Sequence, residues 1–198
     1  MVNEKYSEQL SYLEKPNEKE IPEDLQALFD ENIEFQQKNW GFINNLFKVL
    51  PLNPYQYKGF LDLKNSLFSP ETCYLSNSDK EMIGLVVSST NSCSYCLTTH
   101  SDALRGLTND PVWVDQLTYN YRSARLSDKQ RALCDYAYFV TAYPNEITTN
   151  EVDKLRTVGF NDHEILEAAF VAGFFNFTNR WVSTISPIPN KGHYQHNR

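Results

Sequence analysis

The apolar residues of this 198-residue chain recur mainly every three to four positions, which is the spacing of amphipathic helices. One such set comprises Phe42, Ile43, Leu46, Phe47, Val49 and Leu50, and the segment PLNPYQ follows it directly. Because proline lacks an amide hydrogen and clashes with the preceding helical turn, we expect one helix to end there and another to run over about 55–68. Convincing strand pairs joined by hairpin turns are absent, so the pattern predicts an all-α fold.

Several predicted helices begin with a capping box, in which the first and fourth side chains each bond the other's backbone amide. The segments with this pattern are Ser78-x-x-Glu81, Ser127-x-x-Gln130, Thr148-x-x-Glu151 and Asn161-x-x-Glu164. Asp110-Pro111 offers a cap followed by a proline at the first helical position, and Gly159 suits a helix end. Neither a repeat nor a flexible linker divides the chain. We therefore expect a single-domain helical bundle over 1–198, with about 1–20 and 187–198 as peripheral arms or tails.

The last predicted helix, DHEILEAAFVAGFFNFTNRWVSTI, is apolar nearly all round from Ala168 to Phe177. Such a helix has to be covered on several sides. Two interpretations stay open, which are burial inside one subunit and an interface in a homo-oligomer.

The formal net charge of −7 argues against a nucleic-acid partner, since such proteins carry basic patches. No apolar run approaches the ~20 residues that span a membrane, and the polar, acidic start MVNEKYSEQLSYLEKP is unlike a secretory signal. Four cysteines do not make a disulfide scaffold in a chain of this size, which favours the reducing cytoplasm. In that compartment, two neighbouring cysteines are more often catalytic or metal-binding than a static crosslink.

The segment NSCSYCLTTHSDAL carries the candidate chemistry. If a helix starts at Asn91 or Ser92, then Cys93, Cys96 and His100 lie three and four residues apart on one helical face. The exposed amides and the dipole of the first helical turn would stabilise a thiolate at Cys93, and a thiolate is the reactive form of cysteine. His100 is close enough to Cys96 to accept its proton.

Glu81 belongs to the helix that precedes this segment. If the two helices are antiparallel, Glu81 lies about 10 residues before the turn and His100 about 8 after it, so the two side chains reach similar heights at ~1.5 Å rise per residue. Glu81 would then orient His100 and stabilise its charged form. A purely structural role for Glu81, as the partner of a Ser78 cap, is the alternative.

These residues suggest a thiol peroxidase. A Cys96 thiolate would attack a hydroperoxide to give a sulfenic acid, Cys93 would condense with it to a disulfide, and a dithiol or protein reductant would reopen that bridge. The reverse assignment of the two cysteines is also chemically possible. A disulfide reductase with the same pair and no preference for peroxides is a close variant.

Other functions fit the same residues. Two cysteines, a histidine and a carboxylate can supply four zinc ligands, although structural zinc sites usually combine two separated ligand pairs. A zinc-binding or redox-sensing interaction module without turnover is therefore the alternative function, while the primary hypothesis needs neither a metal nor another cofactor. Further candidates for the substrate pocket are Tyr95, Asn176, Asn179 and Arg180. Trp113 and Trp181 are expected in the core or an interface.

The remaining cysteines and histidines are expected to be non-catalytic. Cys73 falls in a predicted loop and Cys134 among apolar residues in mid-helix. The three other histidines are expected to be solvated: His163, His193 and His196.

Glu81 together with Cys93-Ser-Tyr-Cys96-Leu-Thr-Thr-His100 resembles the signature of the alkylhydroperoxidase D-like group of the carboxymuconolactone decarboxylase superfamily. In that group a glutamate stands twelve residues before the first cysteine, as it does here. The surrounding LSNSDKEMIGLVVSSTNSCSYCLTTHSDAL and the later FFNFTNRW resemble its peroxidase-related branch. The close similarity covers about 75–106, and a weaker one extends from about 40 to 181.

The resemblance implies an all-helical bundle assembled into trimers or hexamers, an antioxidant activity on (alkyl) hydroperoxides, and a peroxidatic second cysteine with a resolving first cysteine. Well-studied members carry a histidine immediately before the second cysteine, where this chain has Tyr95. Any relay step through that position is therefore in question. Decarboxylases of the superfamily generally lack the cysteine pair, which argues against lactone decarboxylation here.

Overall fold

The fold was described from a computed structural model, in which residues 9–14, 16 and 21–198 are placed well enough to describe. Over these residues the chain forms nine α-helices and no strand, so the all-α prediction is confirmed. The helices are α1 (Glu23–Trp40), α2 (Asn45–Val49), α3 (Pro54–Phe68), α4 (Asn77–Thr90), α5 (Ser94–Thr108), α6 (Pro111–Asn120), α7 (Asp128–Ala142), α8 (Thr149–Thr157) and α9 (Asp162–Ile185).

Helix α4 is the centre of the bundle, and helices α5, α6, α7 and α9 pack around it. Its residues 80–88 are all buried, because neighbours cover it on every side. At Gly84 the ring of Phe175 from α9 lies so close that an added Cβ atom would collide with it. Because Gly84 has no side chain, α9 can pack closely against α4, which brings Phe175 next to the candidate active site.

Most of the predicted helix ends are confirmed. Complete capping boxes start at Ser127, Thr148 and Asn161, and Asp110 caps α6 by accepting a hydrogen bond from the Trp113 amide. Gly159 follows the end of α8 in the left-handed conformation, with φ of 93°.

The helix start predicted at Ser78 is wrong. Ser76 caps α4, and its hydroxyl accepts the backbone N–H of Asp79 at 3.1 Å. A serine stands at both positions, and the earlier one has the extended backbone that a cap requires. Glu81 therefore has no capping role and its carboxylate is available for another partner.

The start of α5 was also predicted too early. Asn91 still belongs to the turn, Ser92 has a left-handed backbone with φ of 56°, and Cys93 is the N-cap residue. As a result, Cys96 and not Cys93 lies in the first turn of the helix.

The ends of the chain pack on the bundle where they are described. In residues 187–198 a short 3₁₀ helix lies against α5, and the prediction of a solvated His193 is wrong because its side chain is 1% exposed. His163 is exposed and His196 is partly exposed. Of the predicted N-terminal arm, Tyr12 donates its amide hydrogen to the carbonyl of Ile185, whereas 1–8, 15 and 17–20 lie outside the described residues.

Helix α9 has one buried side and one exposed apolar side. One side is buried in the core, while three large apolar side chains on the other side are 57–59% exposed: Leu166, Phe170 and Phe177. Spacings of four and seven residues place all three on one helical face.

Candidate active site

The two cysteines lie at the tight turn between α4 and α5. Hydrogen bonds from outside the turn fix its shape, since Asn91 donates to the side-chain oxygens of both Asn176 and Asn179 at 3.0 Å. Asn179 in turn donates to the hydroxyl of Ser88 on α4. The polar residues within the otherwise apolar α9 therefore hold the start of α5 in place.

Cys93 and Cys96 form a disulfide across the first turn of α5, with their Cα atoms 5.4 Å apart. Both are almost completely buried, at 1% and 4% exposure. Free amide groups of a first helical turn favour negative charge. After reduction, Cys93 at the N-cap is the sulfur nearest to these amides, and Cys96 is the third residue of the helix.

Glu81 and His100 are hydrogen-bonded, as the antiparallel arrangement of α4 and α5 predicts. The carboxylate Oε2 of Glu81 lies 2.7 Å from Nδ1 of His100, and the two side chains are 10% and 30% exposed. A carboxylate can only accept, so Nδ1 donates and Nε2 is left as the basic nitrogen. The edge of the Phe175 ring packs on the imidazole with centroids 4.7 Å apart, which fixes the ring orientation.

A cavity of about 140 Å³ opens onto Cys96, His100 and Glu81. Aromatic rings from helices α1, α2, α3 and α9 line it: Phe35, Trp40, Phe47, Phe60, Phe68, Phe174 and Trp181. Cys93 is not among the lining residues. Only one sulfur of the disulfide therefore faces the space in which a small molecule could bind.

Tyr95 also lines the cavity, and its hydroxyl oxygen accepts the backbone N–H of Leu46 at 3.4 Å. Burial raises the pKa of this hydroxyl far above neutrality. Tyr95 therefore lines the cavity as a neutral phenol. Its contact with Leu46 ties the α1–α2 segment to the start of α5.

The other predicted pocket residues lie elsewhere. Asn176, Asn179 and Arg180 are absent from the cavity wall, and Arg180 donates to the backbone and side-chain oxygens of Asn176. The prediction that these three residues line the substrate pocket does not agree with their location outside the cavity wall. Asn176 and Asn179 instead contact Asn91 at the α4–α5 turn.

Several residues that line the cavity could not be recognised as site residues from the sequence. Gln36 and Trp40 come from α1, Lys64 from α3, and His193 from the C-terminal segment. Trp181, expected in the core or an interface, also faces the cavity. His193 is held by Asp102 at 2.7 Å and by the side chain of Asn44, which is 149 positions away along the chain.

The part of the chain that the structure describes contains no cluster of three or more histidine, cysteine or acidic side chains arranged for a metal ion. Within the same residues, no helix is both long and apolar enough to cross a membrane.

The comparison with known proteins agrees with this geometry. The sequence profile of the carboxymuconolactone decarboxylase family matches residues 54–139. An uncharacterized peroxidase-related protein from Silicibacter sp. TM1040 is 36% identical over 96% of this chain and 97% of its own, with a TM-score of 0.86. The chain belongs to this family. Within it, the chain is of the alkylhydroperoxidase D-like, peroxidase-related kind.

Two further structures show how widely the fold is shared. An uncharacterized peroxidase-related protein from Ralstonia eutropha JMP134, described as an alkylhydroperoxidase AhpD core, has 28% identity over 96% of this chain and 97% of its own, with a TM-score of 0.88. The debrominase Bmp8 has 17% identity over 95% of both chains and a TM-score of 0.73, which shows likeness of fold alone. Among curated proteins, no match to the sequence was found.

Proposed function

We propose that this protein is a thiol-dependent hydroperoxide reductase with an antioxidant role. The observation that carries the proposal is the shared cavity: Cys96, one half of a disulfide, and the Glu81–His100 pair line the same mostly apolar space. An apolar cavity beside an activated thiol suits an organic hydroperoxide better than a polar solute.

The proposed cycle starts when an external dithiol or protein reductant opens the Cys93–Cys96 disulfide by thiol–disulfide exchange and leaves oxidised itself. Nε2 of His100 then takes the proton of Cys96, while Glu81 stabilises the imidazolium. The thiolate attacks the terminal oxygen of the hydroperoxide, the O–O bond breaks, and an alcohol leaves with the proton from His100. Cys96 is now a sulfenic acid.

Cys93 completes the cycle. Its thiol attacks the sulfenic acid at Cys96, the disulfide forms again and water leaves. The Cα separation of 5.4 Å lies in the ordinary range for disulfides, which supports this pairing of the two cysteines. The requirement for repeated reduction fits a location in the reducing cytoplasm.

The assignment of Cys96 as the attacking sulfur has two supports. It lines the cavity, whereas Cys93 is absent from the cavity wall. His100 follows Cys96 by four residues, which places both on one helical face.

The test is peroxide consumption with cumene hydroperoxide and excess dithiothreitol, for wild type, Cys96→Ser and Cys73→Ser. Cys73 is the control because it lies in a loop outside the cavity wall. We expect loss of turnover in Cys96→Ser and wild-type turnover in Cys73→Ser. Equal rates in wild type and Cys96→Ser would contradict the proposal. Reversible formation of the disulfide without peroxide consumption would instead favour the redox-sensing alternative.

We further propose that the exposed apolar face of α9 joins copies of this chain in a homo-oligomer, a trimer or a hexamer. Leu166, Phe170 and Phe177 border an apolar groove that Leu63 and Leu67 of α3 complete. Soluble monomers rarely leave large contiguous apolar patches uncovered. A second copy of this face supplies complementary apolar surface.

A further inference from the structure

The active-site cavity contains an unusual set of hydrogen-bond donors. Gln36 is 1% exposed, and its Oε1 accepts both the backbone N–H of Asn44 at 2.8 Å and the side-chain amide of Asn44 at 3.0 Å. Because a backbone N–H can only donate, the end of the Gln36 amide that it contacts must be the oxygen. Its Nε2 therefore faces the cavity side as a buried donor, and no acceptor among the described residues pairs with it.

Trp181 supplies a second donor of this kind. Its indole Nε1 is buried, lacks an acceptor within the described part of the chain, and belongs to a side chain that lines the same cavity. Buried polar atoms of native proteins normally have a partner, so two orphan donors in one cavity need an explanation.

Lys64 adds a positive charge on the α3 side of the cavity. It follows Phe60 by four residues, and the Phe60 ring packs edge-on against Trp181 with centroids 5.6 Å apart. The Lys64 ammonium lies 5.4 Å from the ring centre of Phe35, the residue that precedes Gln36. Across the described residues, no carboxylate comes within ion-pairing distance of Lys64.

Burial lowers the pKa of Lys64, while the charge of Glu81 acts in the opposite direction. The Lys64 side chain is half-buried, and its ammonium donates to the side-chain oxygen of Asn65 at 3.5 Å but has no direct counterion. An anionic ligand in the cavity would supply one. A carboxylate is well suited to this set, because it has about four acceptor positions and can satisfy several donors at once.

We propose, building on the peroxidase function above, that the preferred substrate is an organic hydroperoxide that carries a carboxylate. Lys64, Gln36 and Trp181 bind the carboxylate, and the apolar body of the substrate lies among the aromatic rings that lead to Cys96. A volume of about 140 Å³ corresponds to roughly five water molecules at about 30 Å³ each, so the cavity has room for a body larger than hydrogen peroxide.

The test compares two substrates with the same apolar body, 4-(2-hydroperoxypropan-2-yl)benzoate and its methyl ester. Because a charge-assisted hydrogen bond is worth about 1.5–3 kcal/mol and 1.4 kcal/mol is tenfold, wild type should show at least about tenfold higher kcat/KM for the acid. Lys64→Met should bring the acid-to-ester ratio close to one. Lys58→Met is the matched control, since Lys58 is an exposed lysine of the same helix and should leave the ratio unchanged.

Gln36→Glu is a second variant that keeps the shape of the side chain. A glutamate oxygen can still accept both hydrogen bonds from Asn44, but the donor that faces the cavity becomes an acceptor. The acid-to-ester ratio should therefore fall below that of wild type. Trp181→Phe keeps an aromatic ring, removes the N–H, and should lower the ratio as well.

A binding measurement separates this inference from the proposed function. Calorimetry with the unreactive analogue 4-isopropylbenzoate should show binding to wild type and about tenfold weaker binding to Lys64→Met, whether or not peroxide is consumed. Equal kcat/KM for acid and ester in an active wild-type enzyme, or no binding of the analogue, overturns the carboxylate inference and leaves the peroxidase proposal intact. Binding of the analogue with no turnover of either hydroperoxide would overturn the proposed function and the substrate assignment, and would keep only the carboxylate site.

Discussion

Replacement of Glu81 by glutamine changes the charge beside His100 and almost nothing else. The amide has the same shape as the carboxylate, and its oxygen can still accept the hydrogen from Nδ1 of His100, now 2.7 Å from Glu81 Oε2. What disappears is the negative charge that stabilises the imidazolium formed when Cys96 loses its proton. The variant therefore isolates the electrostatic part of the proposed relay.

The size of the effect follows from the environment of the pair. A hydrogen bond to a charged group contributes about 1.5–3 kcal/mol, against about 1 kcal/mol for a neutral one, so the charge accounts for about 0.5–2 kcal/mol. The His100 side chain is 30% exposed, and solvent screens part of this interaction. We therefore expect the lower half of the range, which corresponds to about two- to eightfold slower reaction of Cys96 with peroxide.

The assay is a single turnover of reduced protein with cumene hydroperoxide, quenched with acid and followed by loss of free thiols. Glu71→Gln removes the same charge at an exposed position and is the control. His100→Ala should slow the reaction more than Glu81→Gln, because it removes the base itself. A Glu81→Gln variant as fast as wild type, or as slow as His100→Ala, would refute the division of roles between the two side chains.

Three other properties can be predicted from buried or exposed groups. Lys80 is fully buried with its ammonium 2.9 Å from the Glu167 carboxylate. Lys80→Met leaves that carboxylate without its partner and should lower the free energy of unfolding by about 3–5 kcal/mol in urea titrations. Adding Glu167→Gln to the same chain removes the unpaired charge and should recover part of this loss. Burial raises the pKa of Cys134 to about 12, so iodoacetamide at pH 8 should label reduced Cys96, which lines the cavity, and spare Cys134 in peptide mass spectra; rapid labelling of Cys134 would contradict its burial. Phe177→Asp should shift light-scattering masses from the oligomer to a smaller species, and a monomeric wild type would refute the proposed interface.

The sequence predicted the local parts of the site well. Helix periodicity and the turn between α4 and α5 were enough to place Glu81 opposite His100. In two antiparallel helices joined by a tight turn, residues at similar distances from the turn lie side by side. The cap of α4 was misjudged because Ser76 and Ser78 both suit a helix start, and only the backbone conformation decides between them.

The cavity itself lay beyond sequence reasoning. Its wall joins α1, α3, α9 and the C-terminal segment, and no pattern along the chain links Asn44 with His193, 149 positions later. The same holds for Asn176 and Asn179, whose spacing marks them as polar positions in an apolar helix without showing that their partner is Asn91. Which residues these side chains contact is decided by the tertiary packing.

The central claim is that Cys96 is the sulfur that peroxide oxidises. It is tested most directly by intact-protein and peptide mass spectrometry of reduced Cys93→Ser and Cys96→Ser after one equivalent of cumene hydroperoxide, with dimedone present to trap sulfenic acid. The account predicts a dimedone adduct on Cys96 in Cys93→Ser and none on Cys93 in Cys96→Ser. An adduct on Cys93 in Cys96→Ser, with Cys96 unmodified in the other variant, would contradict it.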